Sequence, residues 1–192
     1  MKTIAQSLFI ALWLALASVA SAQHQTFAVN PDASKVAFAL GGNAHHVDGS
    51  FHVQSGSIDF DRTALTISGS VIVGAGSGNS GDPSRDKKMN SDVLDVDHFA
   101  QITFVPRSYQ GVIAASGDSN IQVTGVFTLH GAPHDLTVPM QVHIEGTALA
   151  AKTHFQVPYV QWGLKDPSIF ILKVAKVVDI DLTLAGTLSP EK

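Results

Sequence analysis

Nine histidines, sixteen carboxylates and no cysteine bound the chemistry open to this 192-residue chain. His45, His46 and His52 lie close together, and imidazole is the commonest protein metal ligand. Neighbours in an extended chain point to opposite sides, so His45 and His46 do not converge. No HExxH spacing or thiolate completes a ligand set, and the expectation is no metal site. His130 and His134 flank Gly131-Ala132-Pro133 and read as turn residues that bond nearby backbone. Gly76-Ser77-Gly78 and Gly69-Ser70 meet neither the G-x-S-x-G nucleophile pattern nor a glycine-rich phosphate cradle before a helix. Asp59, Asp61, Asp179 and Asp181 alternate along extended segments, which puts them on wet outer faces rather than paired in a pocket. The expectation is therefore a protein with no catalytic residue and no cofactor, not an enzyme. One charged pair remains. Arg85-Asp86 follows a glycine-rich loop, and a guanidinium offers a planar fork to phosphate or carboxylate. Arg85 is thus a candidate head-group contact; the plainer reading is an ion pair at a helix start that pins the loop.

The elements that would position these residues are strands. Leu136, Val138, Met140, Val142 and Ile144 take one face of their segment, and Asp135, Thr137, Gln141 and His143 take the other. Val178, Ile180, Leu182 and Leu184 oppose Asp179, Asp181 and Thr183. Ile121, Val123, Phe127 and Leu129 repeat the pattern, with Gly125 as a gap. Period two over five or more residues marks a strand with one wet and one dry face. Weaker versions occur at 26–29, 35–40, 49–53, 57–60, 66–73, 102–105 and 148–157. Turn residues separate them at Asn30-Pro31-Asp32, Gly41-Gly42-Asn43, Ser116-Gly117-Asp118, Gly131-Ala132-Pro133 and Glu145-Gly146. About eight to ten short strands without long crossover helices predict an all-β, antiparallel sandwich or barrel.

One segment departs from period two. Gly74 to Gly81 reads as a flexible polar loop, and Asp82-Pro83 then supplies an N-cap and a proline at the first helical position. Met89, Val93 and Val96 give the following short helix, near 83–97, one apolar face. Asn90-Ser91-Asp92 is a point where it can break and restart. This piece is expected to lie across or plug one end of the barrel.

The flanks and composition set the compartment. Lys2, the apolar run Leu8 to Ala17 and Ala20-Ser21-Ala22 form the pattern of a cleavable signal peptide, residues 1–22, cut after Ala22. Residues 23–192 then form one domain, and removing Lys2 takes the net charge from −4 to −5. There is no basic stripe for nucleic acid, no second apolar run to span a bilayer, and no cysteine for a disulfide or a lipid anchor. An outer-membrane barrel is also disfavoured. The chain ends in Ser189-Pro190-Glu191-Lys192 without a terminal aromatic and, from Gln23 on, has one Trp and two Tyr for interfacial girdles. The expectation is a periplasmic or secreted protein, with a homodimer left open.

Four segments, in order, resemble the YceI-like family. Arg85-Asp86, Met89-Asn90-Ser91-Asp92, Asp95-Val96 and Ile102-Thr103-Phe104 are similar to its RD-x-x-L-x-S-x-x-F-[FL]-D-V-x-x-[FY]-P-x-I-x-F segment. Val123 to Gly131 resembles V-x-G-x-L-T-x-H-G. Val47-x-Gly49-x-Phe51 and Val178 to Leu184 resemble the early and final strands, so the likeness runs from about Phe27 to Leu188. Lys88, Val93 and Ala100 depart from the usual histidine, aromatic and proline. The resemblance implies an extended, lipocalin-like barrel of eight antiparallel strands, exported, whose lumen binds polyisoprenoids or other long amphiphiles and which has no common reaction.

In such a barrel the dry face would line the lumen. Its residues are Val36, Phe38, Phe51, Phe60, Val71, Phe104, Phe127, Leu129, Met140, Val142, Phe155, Val157, Ile180 and Leu182. An eight-stranded barrel is either filled by its own side chains or holds one slender ligand. Burying a five-carbon prenyl unit would contribute about 3 to 4 kcal/mol before ordering costs, so a long thin chain is favoured over a small molecule. A filled barrel acting through its surface, as a stress or interaction protein, would show the same alternation and stands as the alternative.

Overall fold

A computed structural model describes residues 24–43, 46–168 and 173–190. The signal-peptide reading, residues 1–22, lies outside them, as does His45. Ten strand segments appear: β1 His24–Val29, β2 Lys35–Leu40, β3 Val47–Phe51, β4 Val53–Asp61, β5 Thr66–Gly74, β6 Gln101–Gly111, β7 Gly117–Leu129, β8 Ala132–Glu145, β9 Ala148–Val157 and β10 Val178–Pro190. Every ladder is antiparallel.

Two pairs of segments are halves of single bent strands. β10 pairs with β2 through Asp179–Thr183 and with β1 through Gly186–Pro190, so β1 and β2 together run its length. The bend between them is a 3-10 turn, Pro31–Ala33, capped by the Asn30 side chain, which accepts from the Asp32 and Ala33 amides. Likewise β3 and β4 form the next strand, β3 beside β2 and β4 beside β1. Counting each bent strand once gives eight. The order continues through β5, β6, β7, β8 and β9 to β10, and the β1–β10 pairing closes the barrel. A closed sheet leaves no long edge unpaired, which is how an all-antiparallel fold avoids templating aggregation.

Several strands outrun their expected spans, β6 and β10 by the most. β6 extends to Gly111 because a bulge between Pro106 and Ser108 shifts its register against β7. The extra residue flips the alternation and hides the period from the sequence. β10 extends to Pro190 through its pairing with β1, and Gly186 on its dry face interrupts the alternation there. Gly186 faces the β1 main chain, where a Cβ would collide with the Ala28 carbonyl.

The glycine-rich loop is not free. Ser50 and Asn79 exchange both backbone hydrogen bonds at 2.9 Å, the His52 amide donates to Ser77 Oγ at 2.8 Å, and Ala75 is buried. The loop is thereby stitched to the β3–β4 junction, which corrects the expectation of a flexible segment. α1, Pro83–Lys88, starts where expected: the Asp82 carboxylate accepts from the Ser84 and Arg85 amides, with Pro83 at the first position. It does not restart at Asn90 but continues as one wide π turn, Met89–Val93. Met89, Val93 and Val96 pack with Leu94, Tyr159 and Leu164 at that end of the barrel. A larger cluster, including Phe27, Tyr109, Ile113, Ile144, Leu149 and Leu188, fills the other.

Candidate functional site: an apolar lumen with a charged mouth

The in-facing side chains of the eight strands surround one cavity of about 730 Å3. Its wall includes each of the fourteen lumen positions read from the sequence, from Val36 and Phe38 on β2 to Ile180 and Leu182 on β10, and Arg85 as well. The same alternation supplies Ile58, Ile67, Val123, Val138 and Ala151. Tyr159 and Leu164 also line it, from an irregular loop that no hydrophobic period marks.

The closed end is secured by chemistry that sequence alternation does not show. The Tyr109 hydroxyl donates to the Asp61 carbonyl at 2.9 Å, tying β6 to the end of β4 across the bottom. Ser119 is a buried hydroxyl that accepts from the Ala114 amide at 2.9 Å, folding the β6–β7 connection over the lumen. Thr153 is different. It is 8% exposed and lines the cavity half-way along β9, and its Oγ1 is buried without a hydrogen-bond partner.

At the opposite end the lining becomes more polar and half-buried to exposed: Gly41, Gly42, Asn43, Ser80, Arg85, Lys88, Asp92, Lys165, Asp166, Ser168 and Lys173. This is where the cavity reaches the surface, between α1 with its π turn and the loop after β9. Lys165 meets Asp92 at 3.6 Å and so connects the two. Arg85 combines both sequence readings, since it faces the cavity and also lies 3.7 Å from the helix-capping Asp82. The pinning of the loop falls to Asp86, which accepts from the Ser80 amide and hydroxyl at 2.8 and 2.6 Å. Hydrogen bonds from Ser84 and from the Arg85 amide hold the Asp82 carboxyl below its usual range. The Ser91 hydroxyl and the Lys165 charge do the same for Asp92.

The loop after β9 carries the second cap. Burial, reinforced by the Asp166 charge, pushes the Tyr159 phenol up to about 12, and its hydroxyl donates to the Ala175 carbonyl at 2.8 Å. Trp162 lies flat on His134, 4.0 Å between ring centres and 5° from parallel, and its other neighbour is Phe127 at 5.8 Å. Phe127 in turn meets Phe155 edge-on at 6.0 Å inside the lumen. His134 is therefore a ring-stacking residue at the start of β8 rather than the turn residue expected. His130 does sit in the β7–β8 turn, with φ +52°, its ring tilted against Phe99 at 4.3 Å between centres. Of the other histidines read for metal, His46 pairs with Asp48 at 3.0 Å and His52 is exposed. Among the described residues no three His, Cys, Asp or Glu side chains gather into a metal-binding group.

An eight-stranded antiparallel barrel around a long apolar cavity, opened at one charged end, has the form of a container for a hydrophobic guest. The family model of the YceI-like domain matches residues 27–186, and the chain belongs to that family. A search of curated proteins found no significant match. Solved structures with the same fold include Burkholderia cenocepacia BcnA, 24% identical, with a TM-score of 0.66 over 83% of this chain and 99% of that one. A polyisoprenoid binding domain from Saccharophagus degradans implicated in plant cell wall breakdown is 16% identical, with a TM-score of 0.63 over 84% and 98%. The Campylobacter jejuni YCEI protein is 16% identical, with a TM-score of 0.58 over 72% and 81%. At these identities the likeness establishes the fold.

Proposed function

We propose that this protein is an exported lipid-binding protein that holds a polyisoprenoid or similar long amphiphile in its lumen, and that it works by binding rather than catalysis. The cavity carries this reading. Its volume lies within the range of about 300–1,000 Å3 typical of small-molecule sites. Roughly two dozen waters would be needed to fill it, at ~30 Å3 each, yet its depth offers them almost no polar partner. Water is a poor occupant and hydrocarbon a good one. The length of the wall suits a chain rather than a compact molecule, since Leu149 to Val157 on β9 alone lines about 27 Å of strand. The alternative of a filled barrel acting through its surface needs a far smaller void. The family membership and the polyisoprenoid binding domain among the similar folds agree with a lipid guest.

The fourteen lumen residues would contact the tail, and Arg85 would stand at the head group. The signal-peptide pattern at 1–22 supports a periplasmic or secreted location, and among the described residues no helix is long and apolar enough to cross a membrane. Titration of delipidated protein with a fluorescent prenyl or fatty-acyl probe tests the reading. Saturable uptake is expected, and Ala151→Trp and Met140→Trp, each placing an indole in the lumen, should weaken it at least tenfold while the folded circular-dichroism spectrum is kept. Binding that ignores both lumen-blocking variants would refute the lumen as the site.

A further inference from the structure

The charges at the mouth are sorted against the sign of the whole protein. The chain carries 12 Lys and Arg against 16 Asp and Glu, so an unsorted rim would be acidic. Four of the basic residues line the cavity, Arg85, Lys88, Lys165 and Lys173, against two of the acidic ones, Asp92 and Asp166. Both carboxylates are already engaged: Asp92 by Lys165 at 3.6 Å, and Asp166 by Lys176, which is not in the lining, at 3.8 Å. Asp166 is further engaged by the Ser168 amide, which donates to it at 2.9 Å. Among the described residues Lys88 and Lys173 make no ion pair, and Arg85 has the long 3.7 Å contact to Asp82. Three cations from two separate parts of the chain, Arg85 and Lys88 on α1 and Lys173 in the segment before β10, therefore converge on one opening. The two lining carboxylates there, Asp92 and Asp166, act on Lys88 and Lys173 only from beyond contact distance and are held more closely by Lys165 and Lys176.

Such a rim next to an apolar tube has a definite complement. We infer that the mouth formed by Arg85, Lys88 and Lys173 selects amphiphiles whose head group is an anion, a phosphate or a carboxylate, over neutral amphiphiles with the same tail. The inference rests on the lumen reading above and adds the class of head group. An arginine fork and two mobile ammonium groups suit a terminal oxyanion, whereas an alcohol, amide or ester would leave the excess of positive charge at the rim unanswered. The anion would also compete with Asp92 for Lys165, loosening an ion pair that joins the π turn to the loop after β9.

Dodecyl phosphate, dodecanoate and dodecanol share one tail and differ at the head, and their binding to the delipidated protein at neutral pH and low salt tests the inference. Partly exposed ion contacts are modest, so about a tenfold preference for the anions over the alcohol is expected, shrinking as salt rises through physiological strength. The arms also separate phosphate from carboxylate as the better head. Lys88→Glu/Lys173→Glu should bring the anion-to-alcohol ratio near or below one, and the milder Lys88→Gln/Lys173→Gln should reduce it, should the charge reversal not fold. Dodecanol binding as tightly as both anions, or a preference that survives both double variants, overturns the inference and leaves the lumen reading standing. Failure of all three to bind would overturn both.

Discussion

Thr153→Val should make the ligand-free protein more stable. Threonine and valine have nearly the same shape, so the exchange keeps the packing of β9 and alters one group. That group is a hydroxyl oxygen buried on the cavity wall without a hydrogen-bond partner, in a residue only 8% exposed. Leaving such a group buried and unpaired costs about 1–3 kcal/mol, and the methyl that replaces it is at home among Ala151, Phe155 and Leu182. The central expectation is a gain of about 2 kcal/mol. For a domain of this size it should raise Tm by roughly 4–8 °C. Thermal and urea denaturation of delipidated protein measure it. Thr153→Ser is the control: it keeps the hydroxyl, deletes a methyl, and should lower stability by roughly 1 kcal/mol. A Thr153→Val protein less stable than the parent would refute the reasoning, since the hydroxyl would then be bonded in solution, to water or to the chain itself.

Other residues make equally definite predictions. Gly49→Ala would drive a Cβ into the Phe38 ring and the Asn79 carbonyl, where the glycine-rich loop is stitched to β3; a loss of about 1–3 kcal/mol and faster amide exchange at Ser50 and Asn79 are expected. Tyr159→Phe removes the hydroxyl that holds the loop after β9 to the Ala175 carbonyl. About 1 kcal/mol should be lost, and ultraviolet titration of the parent should show one tyrosine ionising only near pH 12. The His98 Nδ1–H donates to the Asp95 carboxylate at 2.8 Å, and that contact raises its imidazole above the ordinary value. A folded-state value raised above the unfolded one stabilises at pH below the unfolded value, and that contribution disappears as pH rises through the folded one. Asp95→Asn should therefore lower the His98 midpoint seen by NMR and flatten this part of the pH dependence; an unchanged midpoint would contradict the pairing.

Much of this architecture is legible as period two, because each strand buries one face and a one-residue slip would expose the whole apolar set. That is why in-facing positions such as Phe104, Met140 and Ile180 can be placed on the cavity wall from alternation. The ends of β6 and β10 are not legible. The bulge before Ser108 reverses the alternation, and Gly186 removes a side chain where β1 approaches too closely for one. Whether the barrel is open or filled is also hidden, since the same valines and phenylalanines would line either state and the volume depends on strand number and stagger. The mouth is hidden for another reason. Arg85 is far in the chain from Lys165 and Lys173, and only closure of the barrel brings them to one rim. Trp162 lies on a loop without a period and meets His134, at the start of β8, because that loop folds back over the β7–β8 turn.

Native mass spectrometry of the protein purified from its own host, followed by solvent extraction, addresses the lumen most directly. The account predicts a complex heavier than the polypeptide by one long-chain amphiphile, released on denaturation, and restored when the stripped protein is offered the extract. A bare polypeptide mass, unchanged after exposure to the host's total lipid, would contradict it.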